Sequence, residues 1–130
     1  MARVALDADV VIAFLDPSDD QHTRAVSELR PLLAAGDELL VGPTVYAETI
    51  VRPLQLGTDA TVDAFFDDAG VTVVPVDRVV ARRAALLHSE HRSLRLPDAL
   101  SLATALVVDA TLLTFDKTLD TIARQIRPDA

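Results

Sequence analysis

Four carboxylates, with a fifth close beside one of them, are the residues of this sequence best suited to chemistry. Asp7 and Asp9 stand in LDADVVIAF between two apolar runs, where an ionised side chain is costly unless something compensates it. Glu48, Asp98 and Asp116 follow far along the chain, in VYAETI, RLPDAL and LLTFDK. Each acid alone has a structural use. Asp98 follows Pro97 in the first turn of a helix, where a carboxylate favours the macrodipole by about 0.3–1 kcal/mol. Glu48 could be a solvated helix residue, Asp116 a cap and Asp7 a strand-end turn residue. Gathered together, they would behave differently. Two carboxylates about 4 Å apart repel by roughly 4 kcal/mol at an effective dielectric near 20, so a cluster raises some pKa values or recruits a cation. Oxygen ligands and a chain without cysteine favour Mg²⁺ or Mn²⁺ over zinc.

The elements that must position these acids can be read from periodicity. Residues 3 to 6 form a short strand, followed by a helix to about Leu15 with Val10, Val11, Phe14 and Leu15 at helical spacing. DPSDD supplies a turn and a helix cap, Asp19 or Asp20, before a helix in which Ala25, Leu29, Leu32 and Leu33 share a face and Pro31 should kink or restart the chain. ELLV, 38 to 41, is a second strand, and Pro43 opens a helix whose end Pro53 and Gly57 mark. TDATVDAFFDDAG is a helix stopped by Gly70, VTVVPV a third strand, and DRVVARRAALLHSEH a helix with Val80, Ala84 and Leu87 inward. A helix begins at Pro97, TLLTF is a fourth strand, and 117 to 125 is a terminal helix. Strands alternating with helices imply right-handed crossovers and an α/β fold, a parallel sheet covered on both faces. Such sheets bind ligands at the carboxyl ends of their strands, which is where Asp7 and Asp116 fall.

Composition sets bounds on this reading. At 130 residues the chain is expected to be a single domain, 1–130, with a real core. Half of it is apolar and only 4% aromatic, which favours aliphatic packing of helices on a sheet. Asp7 and Asp9 interrupt any signal-peptide apolar region, and no stretch approaches the roughly 18 apolar residues of a membrane span. A soluble, cytoplasmic protein with no membrane partner is expected. The net charge of −8 argues against nucleic acid, but its distribution softens that. From Arg78 to Arg95 five arginines, Arg78, Arg82, Arg83, Arg92 and Arg95, face a single Glu, a local balance of +4. This band is read either as a solvated face or as an RNA contact.

The sequence resembles the PIN-domain ribonucleases, and among them the VapC-type toxins of bacterial toxin–antitoxin pairs. VALDADVVIAF, DDQHTRA, VYAETI, RLPDALSLATAL and LLTFDKTL carry the likeness over nearly the whole chain. The resemblance implies a PIN-like three-layer α/β/α sandwich with a central parallel sheet of four or five strands. It implies an acidic quartet, Asp7, Glu48, Asp98 and Asp116, coordinating one or two Mg²⁺ or Mn²⁺ ions, with Thr114 as a supporting hydroxyl. It implies an endoribonuclease that cuts RNA, tRNA or rRNA among its targets, is restrained by a cognate antitoxin, and forms a homodimer. Asp9 departs from the pattern, which usually has Asn, Ser or Thr there. Asp9 joins a second metal site, stays protonated, or caps the first helix, and a role as cap or as a support to the site is favoured. The final strand that such folds usually carry is faint, with only QIRPDA left.

Other residues are weighed beside these. His22, next to Asp19 and Asp20, is read as structural rather than as a general base. Tyr46, Phe65 and Phe66 are core or interface residues before they are base-stacking ones, on helices that in VapC-like proteins line the antitoxin groove. Three rival functions remain. An Asp-x-Asp phosphatase would use Asp7 as nucleophile and Asp9 as acid–base. A receiver-type domain would take Asp77, after the third strand, as phosphoacceptor. A PIN-like module could bind RNA or protein without cutting, although all four acids are retained.

Overall fold

The structure, a computed structural model, describes residues 2–127. Its elements run β1 (Arg3–Leu6), α1 (Ala8–Leu15), α2 (His22–Ala35), β2 (Glu38–Val41), α3 (Pro43–Leu56), α4 (Asp59–Ala69), β3 (Thr72–Val73), α5 (Arg78–Glu90), α6 (Leu96–Val107), β4 (Thr111–Leu113) and α7 (Lys117–Ile126). Four strands form one parallel sheet in the order β3-β2-β1-β4. Val4 at its centre pairs with Leu39 on one side and Thr111 on the other. This is the α/β architecture that the alternation of strands and helices demands.

The strand pleat sorts the core into two halves. Val4, Leu6, Leu39 and Val41 point to one face, where they meet Val10, Val11, Leu29, Val45, Val62 and Phe66 from α1 to α4. Ala5, Leu40 and Leu112 point to the other, against Ala84, Leu87, Ala99, Leu102 and Leu119 from α5 to α7. Strands buried on both faces read as continuous apolar runs, as ELLV does. The result is a three-layer α/β/α sandwich. Among the described residues no helix is long and apolar enough to cross a membrane.

Two local features place the functional elements. Helices α5 and α6 are joined by residues 91–95, a connection short enough to make them an antiparallel pair. Ala84, Ala99 and Ala103 are fully buried there, and small side chains let the two axes close up. The His88 ring nitrogen Nδ1 bonds the Leu94 carbonyl at 2.6 Å and fixes the connection. At the start of α3, Gly42 lies so near α6 that a Cβ would stand 3.4 Å from Thr104 Oγ1. Both contacts bring helix N-termini to the carboxyl edge of the sheet.

Several expected boundaries shift. The third strand is two residues rather than six, because it meets β2 only at Leu40 and Val41, the last residues of that strand. Val74 N–H still donates to Val41 O at 2.8 Å, but Pro75 then offers no donor and the ladder ends. Pro31 neither breaks nor restarts α2, which runs unbroken. The Ser27 carbonyl that loses its partner belongs to an exposed residue, where water can serve it. Pro53 likewise lies inside α3, which ends only at Gly57, in a left-handed conformation with φ of 74°. The cap of α2 is Gln21 rather than Asp19 or Asp20. Asp19 instead accepts the Gln21 N–H at 2.8 Å, forming the turn before the helix. Gln125 and Ile126, read as the remnant of a last strand, belong to α7, and 128–130 lie outside the described residues.

Asp77 has a purely local role: its carboxylate accepts the Val80 N–H at 3.0 Å and caps α5. We therefore expect Asp77→Ala to lower the free energy of unfolding by about 1 kcal/mol in a urea titration. A loss of phosphate transfer from a small phosphodonor, rather than a loss of stability, would restore Asp77 as a phosphoacceptor.

Candidate functional site

Asp7 is the first residue after β1 and is only 8% exposed. Its backbone N–H is spent on Leu113 O at 3.0 Å, which locks β1 to the end of β4. Two hydroxyls serve its side chain. Ser101 Oγ donates to Oδ1 at 3.1 Å and Thr114 Oγ1 to Oδ2 at 2.9 Å. Both donors are buried and neutral, so they orient the carboxylate without cancelling its charge.

The remaining acids surround it. Asp98 lies three residues before Ser101 in the first turn of α6, hence on the same helix face, and is half-buried. Asp116 follows β4. Its N–H donates to Thr114 Oγ1 at 3.1 Å, so one hydroxyl links Asp116 to Asp7. Asp116 Oδ1 also caps α7 by accepting the Leu119 N–H at 2.9 Å, which leaves Oδ2 free of that bond. Glu48 projects from α3 and is exposed at the rim. Burial and then the charges of Asp7 and Asp116 raise the Asp98 carboxyl above its ordinary pKa, with Arg95 opposing. Partial burial and then Asp7 and Asp98 do the same to Glu48. Four acids from four separate stretches of chain therefore act on one another at one edge of the sheet.

Asp9 sits in the first turn of α1, whose cap residue is Asp7. Asp9 supports the opposite strand instead: its Oδ2 accepts the Phe115 N–H at 3.1 Å and lies 3.5 Å from Thr114 Oγ1. Its Oδ1 is buried with no hydrogen-bond partner. Burial, followed by the neighbouring Asp7, pushes this carboxyl up to about 6.

A divalent cation would suit this donor set, which is all oxygen and carries uncancelled negative charge. Among the described residues, no three of these carboxylates already stand close enough to hold an ion without rearrangement. The orphaned Asp9 Oδ1 and the raised carboxyls of Glu48 and Asp98 are what a site poised for positive charge exhibits.

The arginine band divides. All five of its members are exposed. Arg95 reaches the site, with Nε 3.8 Å from Asp98 Oδ2. Arg82 and Arg83 instead line a shallow groove with Val79, Leu86 and Val107. Val107 is at the far end of α6, nine residues from Asp98 or roughly 14 Å along the axis. His22 bonds the Ala13 carbonyl through Nδ1 at 2.8 Å and ties α2 to α1. Tyr46 donates to Asp63 and packs edge-on against Phe66, with ring centroids 5.3 Å apart. Ser101 is a site residue that the sequence reading missed, and helical spacing of three from Asp98 would have found it. Arg24 lies on the Phe115 ring, beside the stretch that carries Thr114 and Asp116.

Because the folded-state pKa of Asp9 lies above its ordinary 3.8, its ionised form destabilises the fold. That cost is absent below about pH 4, grows between about 4 and 6, and is fully present above. In metal-free buffer at pH 7, Asp9→Asn should thus raise stability by about 1 kcal/mol after allowance for partial exposure, or a few degrees in Tm. The gain should vanish near pH 4, and a gain that does not change with pH would remove the charge explanation.

Residues 4–125 match the PIN domain family model. No curated protein matches the chain. Among solved structures, the Mycobacterium tuberculosis toxin VapC20, described as cleaving the sarcin-ricin loop, superposes with a TM-score of 0.73 at 17% identity over 92% of this chain and 94% of that one. VapBC2 from Rickettsia felis, bound to a DNA fragment from its promoter, gives 0.71 at 16% identity over 92% of each chain. FitAcB from Neisseria gonorrhoeae gives 0.66 at 22% over 92% of each. At these identities the likeness is one of fold.

Proposed function

The chain belongs to the PIN domain family, and on that premise we propose that it is a metal-dependent endoribonuclease, the toxin of a VapBC-like toxin–antitoxin pair. The observation that carries this reading is the buried Asp7, oriented by Ser101 and Thr114 and facing Glu48, Asp98 and Asp116 across one sheet edge. Those four acids would hold Mg²⁺ or Mn²⁺.

Hydrolysis of a phosphodiester joins a water oxygen to phosphorus as the bond to the leaving ribose oxygen breaks, and negative charge grows on the phosphoryl oxygens. When bound, a divalent ion offsets that charge and polarises the phosphoryl group. The residues of this chain supply position. Ser101 and Thr114 hold Asp7 in one rotamer, and Thr114 couples that rotamer to the backbone of Asp116. Asp9 holds the turn between them through the Phe115 N–H.

Substrate and partners follow from the same reading. RNA is the substrate class, with tRNA and rRNA as structured candidates. A cognate antitoxin is the protein partner. A groove of about 600 Å³ supports this, since it runs from Glu48 past Ile12, Leu15, Arg52 and Leu56 to Val62 and mixes apolar side chains with charged and hydroxyl ones. Exposed Val51 and Leu54 on α3 and Val79 and Leu86 on α5 offer apolar surface for the expected homodimer. A cytoplasmic location belongs to the same proposal. A PIN-like module that binds without cutting lacks support, because all four acids remain. An Asp-x-Asp phosphatase needs an acid–base that substrate can reach, whereas Asp9 Oδ1 is sealed.

The test expresses wild type and Asp98→Asn side by side, scoring growth arrest and Mn²⁺-dependent cutting of total RNA. We expect arrest and cutting from wild type, with cutting at least about a hundredfold weaker in the variant, as loss of a charge-stabilising group implies. Equal cutting by both would remove Asp98 from the metal site, and a harmless wild type would remove the toxin assignment.

A further inference from the structure

Arg24 has no evident structural use where it stands. It occupies the first turn of α2, where a positive charge opposes the helix dipole. Acids outnumber bases 20 to 12 in this chain, yet among the described residues Arg24 forms no ion pair with any carboxylate. Its guanidinium instead lies 4.2 Å from the centroid of the Phe115 ring. Phe115 borders the site: its N–H donates to Asp9, it stands between Thr114 and Asp116, and its ring packs beside the α1–α4 core. An exposed guanidinium laid on a ring has its plane fixed while its edge N–H groups stay free to bind an oxyanion.

Arg95 repeats the pattern at another wall of the same site. It is the cap residue of α6 without making a capping bond, again a cation at the wrong end of a helix. Unlike Arg24 it has an acid partner, a loose ion pair with Asp98 at 3.8 Å, but its side chain is 80% exposed and that distance is too long for a hydrogen bond. A polyanion approaching five carboxylates needs such countercharge on the path. Arg82 and Arg83, at the far end of α6, do not provide it there.

We propose that Arg24 and Arg95 bind the RNA backbone phosphates flanking the scissile bond, Arg24 from the β4–α7 side and Arg95 from the start of α6. The inference rests on the ribonuclease reading and names the residues that would hold its substrate. Arg24 is held by Phe115, so its grip is preformed rather than assembled on binding.

The test measures binding of a short fluorescein-labelled single-stranded RNA by anisotropy, in EDTA, over a range of salt. Arg24→Gln should weaken binding about three- to tenfold and make the log–log salt dependence shallower by about 0.7. Arg24→Lys should restore the slope but only part of the affinity, since the bidentate fork is lost. With Mn²⁺ present, Arg24→Gln should raise KM for RNA cleavage with little change in kcat. Arg30→Gln, which removes the same charge from the same helix, should keep the wild-type slope. An unchanged slope and affinity in Arg24→Gln, or an equal loss in Arg30→Gln, overturns the proposal while leaving the ribonuclease reading intact. A wild type that neither binds nor cuts RNA overturns both.

Discussion

A buried negative charge governs this structure. Asp7 is fixed by hydroxyls 94 and 107 residues away in the chain, so one carboxylate fastens the first strand to α6 and to the end of β4. Hydrogen bonds of this kind offset the loss of water but leave the charge in place. Its field then raises its neighbours: Asp9, Glu48 and Asp98 all owe part of their elevated pKa to Asp7. The fold therefore carries local electrostatic strain at one end of its sheet. Stability is sustained by the two aliphatic layers, which keep Val10, Val11, Leu29, Ala84 and Leu119 away from water.

Much of the architecture was legible in the sequence because each signal was local. Short continuous apolar runs such as VAL and ELLV gave strands, and apolar faces recurring at three and four gave helices. Proline was the main source of error. Pro31 and Pro53 both lie within helices that run on past them, and the carbonyl that Pro31 leaves without a partner belongs to exposed Ser27, a circumstance that tertiary burial decides and the sequence does not display. The third strand was overread for a related reason, since strand length depends on the partner, and β2 turns away at Gly42.

The acids were legible by residue type, and their setting was not. Asp116 caps the last helix and its charge also reaches Asp98, so the cap does not take it away from the other acids. Asp9 does not cap the first helix, whose cap is Asp7; its carboxylate accepts the Phe115 N–H beside Thr114 and Asp116, a contact spanning 106 residues that no spacing rule foresees. The arginines taken as one band are split by the antiparallel pairing of α5 with α6, which sends Arg95 to the acids and Arg83 to the far end. A cluster in sequence became two sites in space.

The brief β3 has a consequence for life at high concentration. A sheet margin invites other chains to add strands and grow into fibrils. Here an intruding strand would find Thr72 and Val73, then the imino nitrogen of Pro75, which has no hydrogen to share. Polymerisation by that route stops after two rungs.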